Sequence, residues 1–270
     1  MSYLKQKSLY SDIVFHGDHS ASMSSMGNSP MIGGREFVTK YRNLALQVDY
    51  DVHLVYGVFS DQYTGVYNGN AKNITDMDID NCEKAMTPYN YTNFYDTTIQ
   101  QLDNQSKRIE KKYNNLDNNT RNSIPLNQFA SVVFMILTDG VDNLSIHYNS
   151  KILKQKIENH KKIYGANIIF TAANISAIKV GKYYGLTKDE CLQMGSDRQY
   201  SLEAINCITD ACIKQTSGSC DKIMITPLMR KKSFSENNFI KIPSIDFNSS
   251  SESNELKKPI LRRMTTSCNL

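Results

Sequence analysis

The sequence of 270 residues lacks the patterns that mark several protein classes. No apolar run approaches the roughly 18 residues that a membrane-spanning helix needs, so we expect no membrane span. The first residues, 1–7, contain no apolar segment of the kind found in secretory signals, and we predict a cytoplasmic location. The six cysteines include no C-x-x-C pair, and we interpret them as free thiols of a reducing compartment, buried in the fold.

The net charge of +4 is unevenly distributed along the chain. Residues 1–220 contain 22 Lys and Arg and 22 Asp and Glu, whereas residues 221–270 contain 9 and 5. A neutral globule with a basic tail is not typical of nucleic-acid-binding domains, so we expect no nucleic-acid partner. We also expect the folded part to be monomeric by itself.

Apolar periodicity fails from about Cys220, and residues 248–254 are wholly polar. The sequence therefore predicts an N-terminal extension at 1–10, a folded domain at 11–219 and a basic, Ser/Asn-rich tail at 220–270 that is largely disordered. Two short apolar pieces of this tail, 223–225 and 239–242, are candidates for docking on the domain or on a partner.

Apolar runs and amphipathic segments alternate along the predicted domain. Strands are predicted at 11–16, 52–59, 63–67, 132–137 and 166–172, with 63–67 at an edge. Helices are predicted at 37–48, 92–113, 153–164, 175–185 and 202–212, with a polar loop at 114–127. This alternation predicts an α/β fold with a doubly wound, mostly parallel sheet and helices on both faces.

Two acidic loops follow two of the predicted strands. Asp18-His19-Ser20-Ala21-Ser22, a D-x-S-x-S motif, follows the first strand, and Leu137-Thr138-Asp139-Gly140 follows the strand at 132–137. In a sheet of order 3-2-1-4-5-6 the first and fourth strands are neighbours, and ligands bind beyond their carboxyl ends. Asp18 and Asp139 are therefore expected to meet there. A donor set made only of oxygen suits Mg²⁺ or Mn²⁺.

With these loops the chain resembles the von Willebrand factor type A domain, over about residues 11–215. The D-x-S-x-S motif alone is a weak signal, and the resemblance depends on further segments that follow in the family's order. These segments are Val58-Phe59-Ser60-Asp61, Tyr91-Thr92-Asn93, Ile136–Asn143 and Ala172-Ala173-Asn174. The last of them is similar to intracellular bacterial-type members, and the resemblance implies a six-stranded sheet.

The resemblance implies a metal-ion-dependent adhesion site that holds Mg²⁺ or Mn²⁺. Ser20, Ser22 and Thr92 match the hydroxyl ligands of that site, and Asp18 and Asp139 match its carboxylates, which often act through water. One position on the metal stays open for an acidic side chain of a protein partner. We therefore expect a protein-interaction module and no enzyme.

The sequence departs from the family pattern at three positions. Ala21 stands where the family usually has Gly, and Asn90 and Tyr91 stand where a Gly shortly precedes the Thr. A retained fold with a weak or empty metal site is therefore one alternative. A second alternative is a metal-dependent hydrolase of the phosphatase or esterase kind, for which His16 and His19 are the nearby candidate bases.

Other motifs indicate less specific features. The acidic run Asp76-Met77-Asp78-Ile79-Asp80 lacks the Gly and Glu that a calcium-binding EF-hand loop requires, so we interpret it as a solvated turn or a helix cap. No G-x-S-x-G motif and no phosphate-binding glycine loop is present. Ser233 and Thr265 follow basic residues and are candidate phosphorylation sites.

Overall fold

A mixed, six-stranded sheet runs through the part of the chain that the computed structural model describes, residues 9–195 and 197–234. The strand order is β3-β2-β1-β4-β5-β6, and only β2 and β3 pair antiparallel. The strands are β1 (Tyr10–Asp18), β2 (Asp51–Phe59), β3 (Tyr63–Asn70), β4 (Ala130–Thr138), β5 (Asn167–Ala172) and β6 (Cys191–Gln193). The predicted doubly wound sheet, including the edge strand, is confirmed.

Helices cover both faces of this sheet. They are α1 (Ser29–Gln47), α2 (Asp76–Ala85), α3 (Phe94–Asn114), α4 (Asn118–Ser123), α5 (Leu126–Phe129), α6 (Ser150–Tyr164), α7 (Ala177–Tyr183), α8 (Arg198–Thr216) and α9 (Pro227–Ser233). Side chains of α1, α2 and α8 pack in the core on one face, and side chains of α3, α6 and α7 pack on the other. Alternate residues of β1 enter the two cores, with Ile13 and Phe15 on one side and Val14 on the other.

The register of β1 and β4 places their last residues side by side. The two strands are parallel, with Tyr10 level with Ala130 and Gly17 level with Leu137. Asp18 therefore leaves the sheet beside Thr138, one residue before Asp139. Parallel pairing is what brings residues more than one hundred positions apart to a single edge of the sheet.

Three elements differ from the sequence prediction. The first helix begins at Ser29 rather than at residue 37, and its early turns contain Gly33, where a Cβ would lie 2.6 Å from Ile205. The strand β6 is only three residues long and was not located in advance. The predicted polar loop at 114–127 contains α4, which buries no side chain and so has no apolar period to detect. The acidic run at 76–80 begins α2, where Thr75 and Asp78 form a capping box, and this confirms its interpretation as a helix cap.

The predicted domain boundary at residue 219 needs correction. Ile223 and Ile225 are buried in the core beneath α1 and α8, and the chain continues into α9. The N–H of Ile223 donates to the side-chain oxygen of Asn167 at 3.2 Å, and the N–H of Ile225 donates to the carbonyl of Asp189 at 2.9 Å. Packing therefore extends through Ser233. The extension was predicted at 1–10, but β1 already begins at Tyr10. Residues 1–8 and 235–270, with the apolar piece at 239–242, lie outside the described residues.

Ser233 is fully buried at the end of α9, which corrects the interpretation of this serine as an accessible phosphorylation site. Its carbonyl accepts the N–H of Gly195 at 2.8 Å. One turn earlier, Arg230 donates to the carbonyl of Cys191 at 2.9 Å. These contacts attach α9 to β6, so a kinase would reach Ser233 only after α9 detaches. Thr265 lies outside the described residues.

The cysteines within the described ranges are free thiols. Cys82, Cys191 and Cys212 are buried, as predicted, whereas Cys207 and Cys220 are partly accessible. Burial raises the pKa of Cys82 and of Cys191 to about 12, so both are protonated and unreactive at neutral pH. Cys268 lies outside the described residues. Across 9–195 and 197–234, no helix combines the length and the apolar character that crossing a membrane requires.

Candidate metal centre

The carboxylate of Asp18 is held at both oxygen atoms. Its Oδ1 accepts the N–H of Ser20 at 2.7 Å, and its Oδ2 accepts the hydroxyl of Thr138 at 2.6 Å. Asp18 ends β1 and Thr138 ends β4, so this pair follows directly from the strand register. The side chain of Asp18 is fixed before any ligand arrives.

Two serine hydroxyls lie between the acidic loops. Ser20 Oγ is 3.1 Å from Ser22 Oγ, and the hydroxyl of Ser22 donates to Asp139 Oδ1 at 2.7 Å. The other oxygen of Asp139 faces the side-chain amide of Asn174 at 3.4 Å. The structure therefore brings together four of the five predicted site residues, Asp18, Ser20, Ser22 and Asp139.

The fifth predicted residue, Thr92, is positioned through its backbone. Its N–H donates to the side-chain oxygen of Asn143 at 2.9 Å, and its carbonyl accepts the N–H of Asn143 at 3.0 Å. The next residue, Asn93, donates its N–H to the carbonyl of Ser60 at 2.7 Å. Thr92 is buried between the loops that follow β2 and β4.

The loop after β4 also caps α3, a role that sequence reasoning missed. Asp142 accepts the N–H of Phe94 at 2.7 Å, and the hydroxyl oxygen of Ser145 accepts the N–H of Tyr95 at 3.0 Å. The first N–H groups of a helix need such acceptors, and here a distant loop supplies them. Asp142 and Asn143 lie three and four residues after Asp139, within the predicted acidic loop, but no local pattern indicated which helix they serve.

The departures from the family pattern are accommodated by the backbone. Ala21 does not have a positive φ, and its N–H donates to the carbonyl of Asn90 at 3.0 Å. Asn90 has a φ of 57°, a left-handed conformation that Asn adopts more readily than most residues other than Gly. The side chain of Tyr91 is 65% exposed and points away from the packed interior. Asn90 thus takes the conformation for which a glycine would ordinarily be used.

The spacing of the oxygen atoms fits a small octahedral cation. Oxygen ligands about 2.1 Å from Mg²⁺ lie about 3 Å from their neighbours in an octahedron. The separations of 3.1 Å between the two serine hydroxyls and 2.7 Å between Ser22 and Asp139 match that spacing. These are also hydrogen-bond distances, and they place Ser22 close enough to both Ser20 and Asp139 to share an ion with either.

Burial raises the free energy of the charged forms of Asp18 and Asp139 when no cation is bound. It raises the pKa of Asp18 to about 6, with a further rise from Asp139 and opposing hydrogen bonds from Thr138 and Ser20. Burial also raises the pKa of Asp139, against the hydrogen bond from Ser22. Two buried carboxylates side by side attract a positive charge strongly, because the low local polarity screens them poorly.

The centre is built largely from hydroxyl oxygens. Within 9–195 and 197–234, no group of three or more His, Cys, Asp and Glu side chains is placed to hold a metal ion. The candidate centre contributes only two carboxylates, Asp18 and Asp139, and depends on Ser and Thr for its other donors. Such a set matches hard cations such as Mg²⁺ and Mn²⁺.

No family model matches the sequence, and no curated protein sequence matches it. Solved structures do match the fold. The pilus adhesin SpaC from Lactobacillus rhamnosus GG aligns with a TM-score of 0.51 and 16% identity, over 79% of this chain and 31% of that chain. The vWF domain of the type V pili tip protein Mfa5 from Porphyromonas gingivalis aligns with a TM-score of 0.47 and 10% identity, over 78% and 97%.

A third match is proximal thread matrix protein 1 from the mussel byssus, with zinc in its MIDAS motif. It has a TM-score of 0.48 and 15% identity, over 79% of this chain and 47% of that chain. In this chain itself, the strand order, the edge strand and the acidic loops after β1 and β4 agree with the sequence resemblance. The chain has a von Willebrand factor type A-like fold.

This chain spans less than half the length of the mussel and lactobacillus chains that it matches. The likeness therefore concerns only the part of the mussel and lactobacillus proteins that aligns with this chain. The predicted cytoplasmic location stays a prediction, since SpaC and Mfa5 are pilus proteins.

Proposed function

We propose that this chain is a protein-interaction module that binds an acidic side chain of a partner through Mg²⁺ or Mn²⁺. Ser20, Ser22 and Thr92 would hold the ion through their hydroxyls. Asp18 and Asp139 would act on it directly or through water. The ion would supply an electrophilic position that accepts an external carboxylate, because neutral hydroxyl ligands leave most of its charge uncompensated.

The observation that carries the proposal is the contact between the two acidic loops. Ser22 of the first loop donates to Asp139 of the second at 2.7 Å, and Ser20 lies 3.1 Å from Ser22. Both distances fit neighbouring ligands of an octahedral ion. Serine and aspartate arranged in this way at the carboxyl ends of β1 and β4 form a site of preorganised oxygen donors.

The surroundings of the site support a role for the cation in recognition. The segments 18–28, 60–62, 86–98 and 139–150 contain five aspartates and no Lys or Arg. A partner carboxylate would be repelled by this edge of the sheet in the absence of a cation. Binding of an acidic side chain here therefore depends on the ion.

The two histidines named for the hydrolase alternative are poorly placed to act as its base. His16 is fully buried and stacks on Phe59 with ring centroids 4.3 Å apart, and burial lowers its pKa to about 3. His19 directs its Nδ1 at the carbonyl of Thr87, 3.2 Å away. Neither histidine is arranged to activate a water at the cluster of Ser20 and Asp139. The proposed role is accordingly non-enzymatic, and phosphatase and esterase assays with Mn²⁺ test it.

Calorimetric titration of the full chain with Mn²⁺ tests the metal site. We expect Asp18→Asn to abolish binding while the circular dichroism spectrum stays native, because the change keeps the shape of the side chain and removes its charge. Asp210→Asn is the matched control, since Asp210 forms a surface ion pair with Lys40. Undiminished binding by the Asp18 variant would overturn the assignment.

A further inference from the structure

Five large apolar side chains are exposed on two loops beside the candidate metal centre. Their exposed fractions lie between 37% and 81%, and one loop precedes Thr92 while the other follows Asp139. We call these five side chains the apolar rim: Tyr89, Tyr91, Leu144, Ile146 and Tyr148. Exposed large apolar side chains on adjoining loops are a reason to look for an interaction site there.

Hydrogen bonds hold the two loops of the apolar rim against α3 and against each other. The carboxylate of Asp96 accepts the N–H of Ile146 at 3.1 Å and the N–H of Tyr148 at 2.9 Å. Thr92 and Asn143 exchange two further bonds between the loops. A surface held in this way loses little conformational entropy when a partner docks.

The apolar rim also adjoins the loop of the D-x-S-x-S motif. The N–H of Tyr89 donates to the carbonyl of His19, and the carbonyl of Asn90 accepts the N–H of Ala21. Ser22, a candidate metal ligand, follows Ala21 in the chain. A carboxylate bound at the metal centre would therefore bring its neighbouring residues over the apolar rim.

The charged residues within the four segments at this edge of the sheet, 18–28, 60–62, 86–98 and 139–150, are of one sign. The four segments at this edge of the sheet contain no Lys or Arg, and their aspartates are Asp18, Asp61, Asp96, Asp139 and Asp142. A divalent ion offsets part of this negative charge and leaves an excess. One partner carboxylate can be compensated by the ion, whereas a second acidic residue beside it meets only repulsion.

We propose that this site selects a single carboxylate displayed among apolar side chains and rejects acid-rich segments. The inference rests on the proposed metal-dependent function and specifies its partner. The ion binds the carboxylate, the apolar rim buries the flanking apolar residues, and the aspartates exclude partners with further acidic residues. In specific interfaces a few anchoring residues carry most of the binding energy, and the contacts around them exclude water.

Short synthetic peptides test the proposal, with a central Asp flanked by Leu and Phe, by Ser, or by Glu. Affinity for the full chain is measured by fluorescence anisotropy in Mg²⁺ and in EDTA. In Mg²⁺ we expect the apolar-flanked peptide to bind about tenfold more tightly than the Ser-flanked peptide, and the Glu-flanked peptide to bind most weakly. Added salt should reduce the disadvantage of the Glu-flanked peptide, because it screens repulsion.

Variants separate the apolar rim from the metal. Tyr91→Ala and Ile146→Ala should each weaken the apolar-flanked peptide several-fold and leave the Ser-flanked peptide nearly unchanged. Leu46→Ala is the matched control, because Leu46 is exposed near the far end of α1. Mn²⁺ binding should be the same in all three variants.

The outcomes distinguish the two proposals. The peptides could bind in Mg²⁺ with the same affinity whatever their flanking residues, or the Glu-flanked peptide could bind most tightly. Either result would overturn the proposed selection by the apolar rim and leave the proposed function standing. If the peptides bind as tightly in EDTA as in Mg²⁺, or do not bind in Mg²⁺, the proposed function is overturned and this inference with it.

Discussion

Asn143 and Thr92 bond to each other twice. The side-chain oxygen of Asn143 accepts the N–H of Thr92 at 2.9 Å, and the backbone N–H of Asn143 donates to the carbonyl of Thr92 at 3.0 Å. These bonds connect the loop that carries a proposed metal ligand to the loop of Asp139, four residues before Asn143. A residue outside the proposed ligand set thus positions a member of it.

Asn143→Ala should weaken Mn²⁺ binding about ten- to a hundredfold, the usual effect of removing a group that orients a metal ligand. The variant keeps the backbone bond to Thr92 and loses only the side-chain bond, so we expect the fold to persist. Calorimetric titration measures the affinity, and Asn159→Ala on the exposed face of α6 is the control. Equal affinities for the two variants would show that Thr92 needs no such support.

Asn90 should tolerate Gly and reject Val. Its φ of 57° suits Gly, whereas a β-branched residue is strained there, so we expect Asn90→Val to lower the free energy of unfolding by about 1–2 kcal/mol. Asn90→Gly should change it by less and should retain Mn²⁺ binding. Urea unfolding of both variants checks this, and equal destabilisation by Gly and Val would mean that the side chain of Asn90 matters rather than its backbone.

A chain that ends after residue 219 should be markedly less stable than one that ends after residue 234. The shorter chain loses the buried Ile223 and Ile225, each worth about 2 kcal/mol or more, and its Tm should fall by more than roughly 8 °C. Differential scanning calorimetry measures the shift. Ile223→Ala should reproduce part of it, and Met224→Ala, with a side chain that is 56% exposed, should not. A Tm unaffected by loss of residues 220–234 would refute their place in the core.

His160 should make stability depend on pH. Burial lowers its pKa to about 4, and Asp12, Asp103, Arg108 and Lys156 act on it as smaller influences of both signs. The unfolded chain, with a His pKa of about 6.5, binds a proton that the folded chain does not, so stability is full above pH 6.5 and is lost as the pH falls toward 4. Between pH 7 and pH 5 the loss is about 2 kcal/mol.

The loss attributable to His160 is the difference between wild type and His160→Gln, since the other titrating groups are common to both proteins. Urea unfolding at pH 7 and at pH 5 measures it. A pH dependence that is identical in the two proteins would show that His160 does not contribute.

The sequence by itself determined the order of the longer strands and helices in the domain and the residue types of the candidate site. Apolar periodicity is a local property, and it indicated β1, β2, β4 and β5 because each is buried along its length. The motif loops at Asp18 and Asp139 were recognisable because each follows such a strand. From these positions and the rule for parallel sheets, the meeting of the two loops was predictable.

Only the tertiary structure decided how the loops are held and where the folded part ends. Asn143 and Asp142 serve Thr92 and α3, about fifty residues earlier, and no local pattern encodes such a partner. Ile223 and Ile225 lie in a segment without periodicity, and they are buried because they join the core to which α1 and α8 also contribute. Ser233 is likewise buried by its contact with Gly195. Contacts between distant segments depend on the assembled surface, which the sequence of either segment alone does not contain.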